Sequence, residues 1–126
     1  MKRELKIGDS QLITIENGIV HIPLFGDSWM TQHEVADLFE CFVSKVNSNI
    51  RSILKSGVLC ESDVCRIYHY QNGNSVEQYS LEMIIALSFR IESKNAQAFR
   101  RWLLRKLSKA KIPEILIRSI QNQLLN

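Results

Sequence analysis

Long apolar runs are missing from this 126-residue chain. The longest, Met83–Leu87, has five residues, against the roughly 20 that a membrane-crossing helix needs. An apolar leader is missing as well, since Lys2 and Arg3 are followed by Glu4, so no secretory signal is expected. Cysteine is scarce and odd in number, at three. That argues against a disulfide scaffold and for reduced thiols in a cytoplasmic protein. There is no repeat, no low-complexity segment, no Gly-rich phosphate loop and no recognisable Cys/His/Asp catalytic motif. What is present is 45% hydrophobic and 23% charged, the make-up of a folded globular chain of a length suited to one domain.

The net charge of +3 conceals an asymmetry. Residues 1–89 carry 7 Lys/Arg against 11 Asp/Glu, whereas residues 90–126 carry 9 against 2. A basic surface for a partner is therefore expected from the last third of the chain.

Periodicity then gives the elements. Gln11–Glu16 and Ile19–Leu24, rich in Ile, Val and Thr, flank Asn17-Gly18, a two-residue hairpin turn in which both positions tolerate positive φ. Pro23 keeps the second strand short or at an edge. Thr31 followed three residues later by Glu34 is a capping box opening a helix that carries Val35, Leu38 and Phe39 inward. A second helix starts near Val43. Its Val43, Val46, Ile50, Ile53 and Leu54 share one face, Ser44, Ser48, Arg51, Ser52 and Lys55 the other, and Gly57 stops it. Two helices separated by about three residues, with small Ala36 at their crossing and Val46 inside, form a helix-turn-helix pattern.

Val64–Tyr70 and Val76–Tyr79 read as a second hairpin around the turn-forming residues 71–75. A hairpin directly after such a helix pair is the order of a winged helix-turn-helix. Ser80 and Ser93 are positioned to cap helices over 81–90 and 94–111. The latter carries Phe99, Trp102, Leu103, Leu107 and Ala110 on one face and Arg101, Arg105 and Lys109 as a basic stripe. Beyond Pro113, residues 114–125 read as a last helix with six large aliphatic residues, more than one stripe needs. A homodimer through residues 114–126 is therefore expected. The expected fold is one α+β domain over 1–126: hairpin 1–28, helix-turn-helix 29–59, wing 60–80 and C-terminal helices 81–126.

Thr31-Gln32-His33-Glu34-Val35-Ala36-Asp37-Leu38-Phe39, then Val46 and Ile50, resemble the N-terminal part of the RhuM-type virulence proteins. So do Tyr79-Ser80-Leu81-Glu82-Met83-Ile84-Ile85, Phe89-Arg90-Ile91-Glu92-Ser93-Lys94 and Phe99-Arg100-Arg101-Trp102. The Phe-Arg-x-Trp element is also similar to the Bro-N type of phage antirepressor domain. The resemblance covers about residues 29–110. It implies a bacterial, mobile-element or virulence-associated protein with a DNA-binding domain and a role in transcription regulation. The chain departs from the pattern at Glu40, where the family commonly has Gly, and at Phe42, where Ser or Thr often caps the second helix. Family members are longer, which implies a further C-terminal region in a longer parent.

The candidate DNA-binding residues follow. Ser44, Asn47, Ser48 and Arg51 face base edges if the second helix enters a major groove, Asn suiting adenine and Arg guanine. Lys45 and Lys55 suit phosphates, as does the stripe Arg101, Arg105 and Lys109. Trp102 and Phe99 read as core, and Asn72 or Asn74 as wing-tip residues. Cys60, Cys65 and His69 fall short of the four ligands zinc takes, so no metal or other cofactor is expected. Glu34, Asp37 and Glu40 read as a solvated helix face, and no enzyme is expected. A protein-interaction module on the same scaffold, without DNA affinity, is the alternative. The acidic first helix and weak net charge favour it, whereas Arg51, Lys55 and the basic last third favour duplex DNA.

Overall fold

The first hairpin forms where Asn17-Gly18 can supply two consecutive positive φ angles, and it does so with φ of 52° and 78°. The computed structural model describes residues 12–23 and 28–109, together with Gln121 and Gln123. Within them, β1 (Thr14–Glu16) pairs antiparallel with β2 (Ile19–His21), Ile15 standing opposite Val20. The pairing stops before Pro23, which has no N–H to offer.

Helix α1 (Gln32–Phe39) opens on the complete capping box. The Glu34 amide donates to Thr31 Oγ1 at 3.1 Å, and the Thr31 amide donates to Glu34 Oε1 at 2.9 Å. α1 buries Val35, Ala36, Leu38 and Phe39. It ends at Glu40 with φ 53° and ψ 56°, a left-handed conformation that costs a residue with a Cβ about 1–2 kcal/mol. The turn geometry thus survives the residue that suits it poorly. Glu40→Gly is expected to stabilise the fold by about 0.5–1 kcal/mol, less than the strain because glycine also loses more freedom on folding. Thermal unfolding should register this as a rise of a few degrees, and an unchanged or lower midpoint would contradict it.

Helix α2 (Val43–Ser56) follows after Cys41 and Phe42. Val46, Ile50 and Ile53 are buried, Val43 and Leu54 half-buried. Gly57 closes it with φ 82°, its amide bonded to the Leu54 carbonyl at 3.2 Å. The second hairpin begins one residue later than expected. Glu61–Val64 form a short helix, α3, instead of leading into a strand. Its Asp63 and Val64 amides bond the Cys60 carbonyl, and this turn drives Val64 fully inside, so burial outweighs the strand preference of a β-branched residue. β3 (Cys65–His69) then pairs antiparallel with β4 (Ser75–Tyr79). An isolated antiparallel bridge joins Met30, just before α1, to Tyr79 at the end of β4.

Helix α4 (Leu81–Ser88) lies at the centre, packed against α2, α3, β4 and α5 (Lys94–Lys109). Ser80 holds the N-cap position of α4, but its buried Oγ has no hydrogen-bond partner among the described residues, so the expected side-chain cap is not made. Ser93 does cap α5, accepting from the Ala96 amide at 3.0 Å. The architecture is a small α+β fold of two β-hairpins and five helices among the described residues. No helix among them is long and apolar enough to cross a membrane. The expected last helix with its dimer interface, 114–126, lies outside the described residues, apart from Gln121 and Gln123, which are helical.

Candidate nucleic-acid interface

The exposed side of α2 divides into two lines once residues are spaced at 100° around its axis. One runs through Lys45, Ser48, Ser52 and Lys55, all exposed. The other, turned toward the N-terminus of α1, runs through Ser44, Asn47 and Arg51. Asn47 is half-buried there because Gln32, the first residue of α1, reaches it. Gln32 Nε2 donates to Asn47 Oδ1 at 3.3 Å and to Tyr79 Oη at 3.4 Å, and Tyr79 Oη donates to Glu77 Oε1 at 3.0 Å. This chain of contacts fixes the start of α1 against α2 and β4. Asn47 is therefore partly committed to holding the helix pair, a role invisible in its spacing.

Ser48 Oγ and Asn49 Nδ2 both donate to the Lys45 carbonyl, at 3.2 and 2.9 Å. Such back-bonding holds short polar side chains along the helix surface. Lys45, Arg51 and Lys55 have no carboxylate partner among the described residues. Their charge is directed to solvent.

Arg90 joins this surface from a distant part of the sequence. It sits just past the end of α4, yet its Nη2 donates to Ser52 Oγ at 2.8 Å. The sequence places Arg90 at the end of a helix, in the Phe89–Lys94 element of the resemblance and among the basic residues of the last third, but gives it no contact role. The available signal was its place right after a helix that had to pack against α2.

The three basic residues of α5 are not brought to α2. Arg101, Arg105 and Lys109 are exposed, on a helix packed against the first hairpin, α1 and α4. Arg105 and Lys109, with Lys106 and Trp102, line a shallow cavity of about 310 Å³ whose other wall is Gly18–Val20. Lys106 Nζ stands 5.9 Å from the centre of the Trp102 ring. The nine expected contact residues thus lie on two helices, α2 and α5, that do not pack closely against each other.

The second hairpin is held at its base. Arg66 Nε donates to Gln78 Oε1 at 2.8 Å, and the guanidinium stacks 4.5 Å from the Trp29 ring centre. Tyr68 is half-buried and meets exposed Tyr70 edge to face at 5.1 Å, and His69 is exposed. At the tip, Asn72 Oδ1 accepts from the Asn74 amide at 2.9 Å, so Asn72 shapes the turn. No group of three or more His, Cys, Asp or Glu among the described residues is placed to hold a metal ion.

Burial raises three acidic protons in this region. The Cys65 thiol is pushed up to about 11 from 9.0, first by burial and then by Glu61 and Glu77. Burial also takes the Tyr79 phenol to about 12 from 10.0, with the Gln32 hydrogen bond opposing and Glu77 assisting. Cys41 rises by burial, partly offset by Lys45. The folded state favours the protonated form in each case, so the unfolded chain loses its protons first as pH rises. This contribution to stability is whole below about pH 9 and lost on rising through about pH 12. The urea midpoint should hold up to about pH 9 and fall above it, and Tyr79→Phe should flatten the upper part of the fall. A midpoint that is level throughout this alkaline range would contradict the assignment.

No family model, no curated protein and no solved structure matches the chain.

Proposed function

We propose that this protein is a duplex-DNA-binding module, a winged helix-turn-helix in which α1 and α2 are the helix pair and β3–β4 the wing. α4 packs against both the second helix of the pair and the end of the wing. The RhuM-type resemblance adds a regulatory role in a bacterial mobile-element or virulence setting. The observation that carries the reading is the exposed side of α2: three cations, Lys45, Arg51 and Lys55, interleaved with Ser44 and Ser48 and without carboxylate partners among the described residues. Arg and Asn read base edges, whereas lysines meet phosphates irrespective of sequence.

The test is fluorescence anisotropy with mixed-sequence duplexes and with a duplex enriched from a random pool. At about 50 mM salt, where phosphate attraction is strong, binding is expected. Arg51→Ala should narrow the gap between enriched and mixed duplexes, costing about 1–3 kcal/mol on the enriched one. Lys55→Ala should weaken both about equally. A second reading, a protein-interaction module, draws on exposed apolar side chains: Phe42 at 83%, Val58 at 60% and Ile67 at 57%. It replaces the first if no duplex binds at that salt.

A further inference from the structure

Resting on the DNA reading, we propose that Arg90 is a phosphodiester-binding residue of the α2 surface, positioned by Ser52. The argument begins with where Arg90 comes from. α4 packs against α2 and ends at Ser88, and Phe89 and Arg90 form the turn that follows. In it the Arg90 amide bonds the Leu87 carbonyl at 3.0 Å. The backbone that carries Arg90 is thus tied to the central helix, while its exposed side chain reaches across to α2.

Its position on α2 is specific. Ser52 lies one turn after Ser48, two turns after Lys45 and three residues before Lys55, all on one line of the helix. A guanidinium fixed to Ser52 Oγ therefore stands between the two lysines that the DNA reading assigns to phosphates. Arg90 has no carboxylate partner among the described residues. One of its five N–H donors is used by Ser52, which leaves a planar fork of donors for a second acceptor. That fork matches two oxygens of one phosphate group, a geometry lysine cannot supply. Ser52 is uncharged, so it orients the fork without neutralising it.

Three variants separate the charge of Arg90 from its positioning. Binding is measured between about 50 and 200 mM salt for the wild type, Arg90→Ala, Arg90→Lys and Ser52→Ala, with thermal melts to confirm that each is folded. Each phosphate contact contributes about −0.9 to the slope of log K against log salt. Arg90→Ala should bring the slope about one unit closer to zero and weaken binding about tenfold at about 50 mM salt, on all duplexes alike. Arg90→Lys should keep the slope and recover only part of the affinity. Ser52→Ala should also keep the slope while weakening binding a few-fold, the signature of a positioning residue.

A wild type that binds DNA alongside an Arg90→Ala variant of unchanged slope and affinity overturns the role of Arg90 and leaves the DNA reading intact. A wild type that binds no duplex removes both. A Ser52→Ala variant equal to the wild type removes the positioning role.

Discussion

Phe99→Ala is expected to destabilise the protein by about 3–5 kcal/mol, the range for deleting a buried aromatic ring. Phe99 is fully buried where α5 meets α1. Its ring stands edge-on to Phe39, 5.8 Å between centroids, and is tilted against Trp102 at 5.8 Å. Both ring neighbours are held on helices, Phe39 on α1 and Trp102 on α5 itself, which limits how far they can move into the void. Small domains have only about 5–15 kcal/mol of stability in all, and at this chain length each kcal/mol shifts the midpoint by about 3–5 °C, between the values for smaller and larger domains. A fall of about 10 °C or more in a circular-dichroism melt is expected, and a smaller one for Phe99→Leu. A Phe99→Ala variant melting within a few degrees of the wild type would mean that α5 is not docked as described.

The next residue carries the second large effect. Arg100 is half-buried, and its Nη1 donates to the Ser88 carbonyl and, at 3.2 Å, to the Ile91 carbonyl. Ser88 is the last residue of α4, where carbonyls have no partner within the helix. Arg100 supplies one from the neighbouring helix, with its charge matched to that end of the helix dipole. A hydrogen bond to a charged group contributes about 1.5–3 kcal/mol. Arg100→Ala should therefore cost about 2–3 kcal/mol, water replacing part of the loss at this half-open site. Arg100→Lys should recover less than half, since a strongly hydrated ammonium on a flexible stem is not held over the two carbonyls as Nη1 of the rigid, planar guanidinium is. Chemical denaturation measures both, and equal stability of all three proteins would refute the bridging role.

These two residues also show what the sequence could and could not convey. Phe99-Arg100-x-Trp102 stands out as a pattern, and a Phe beside a Trp at helical spacing is legible as core. That Arg100 serves the end of another helix is not, because the acceptors are backbone carbonyls, which leave no mark in the side-chain pattern. Asn95 is similar: its Nδ2 donates to the Leu38 carbonyl at 2.8 Å and ties α5 to α1. The local rules were readable. Asn17-Gly18, the Thr31–Glu34 capping box, Gly57 and the Ser93 cap each act within a few residues, and each stands where its chemistry requires.

The site was half legible for the same reason. Helical spacing separates the exposed Lys45, Ser48, Arg51 and Lys55 from the buried Val46, Ile50 and Ile53. It carries no information on the side chain that arrives from 38 residues away to meet Ser52. Nor could it keep the α5 stripe apart from α2, since two basic segments look alike until packing assigns each to its own surface.

The Met30–Tyr79 bridge has a consequence in time. Its two backbone hydrogen bonds, 3.0 and 2.7 Å long, close a segment whose ends are 49 residues apart in the sequence. Closing a flexible loop costs entropy that grows as about (3/2)RT ln n, and contacts of such separation slow folding relative to local ones. The α1–α2 turn and the β3–β4 hairpin join near neighbours and can assemble before this closure. If the bridge forms last, substitutions at Met30 and Tyr79 are expected to speed unfolding while leaving the folding rate nearly unchanged, which the two limbs of a denaturant chevron would read.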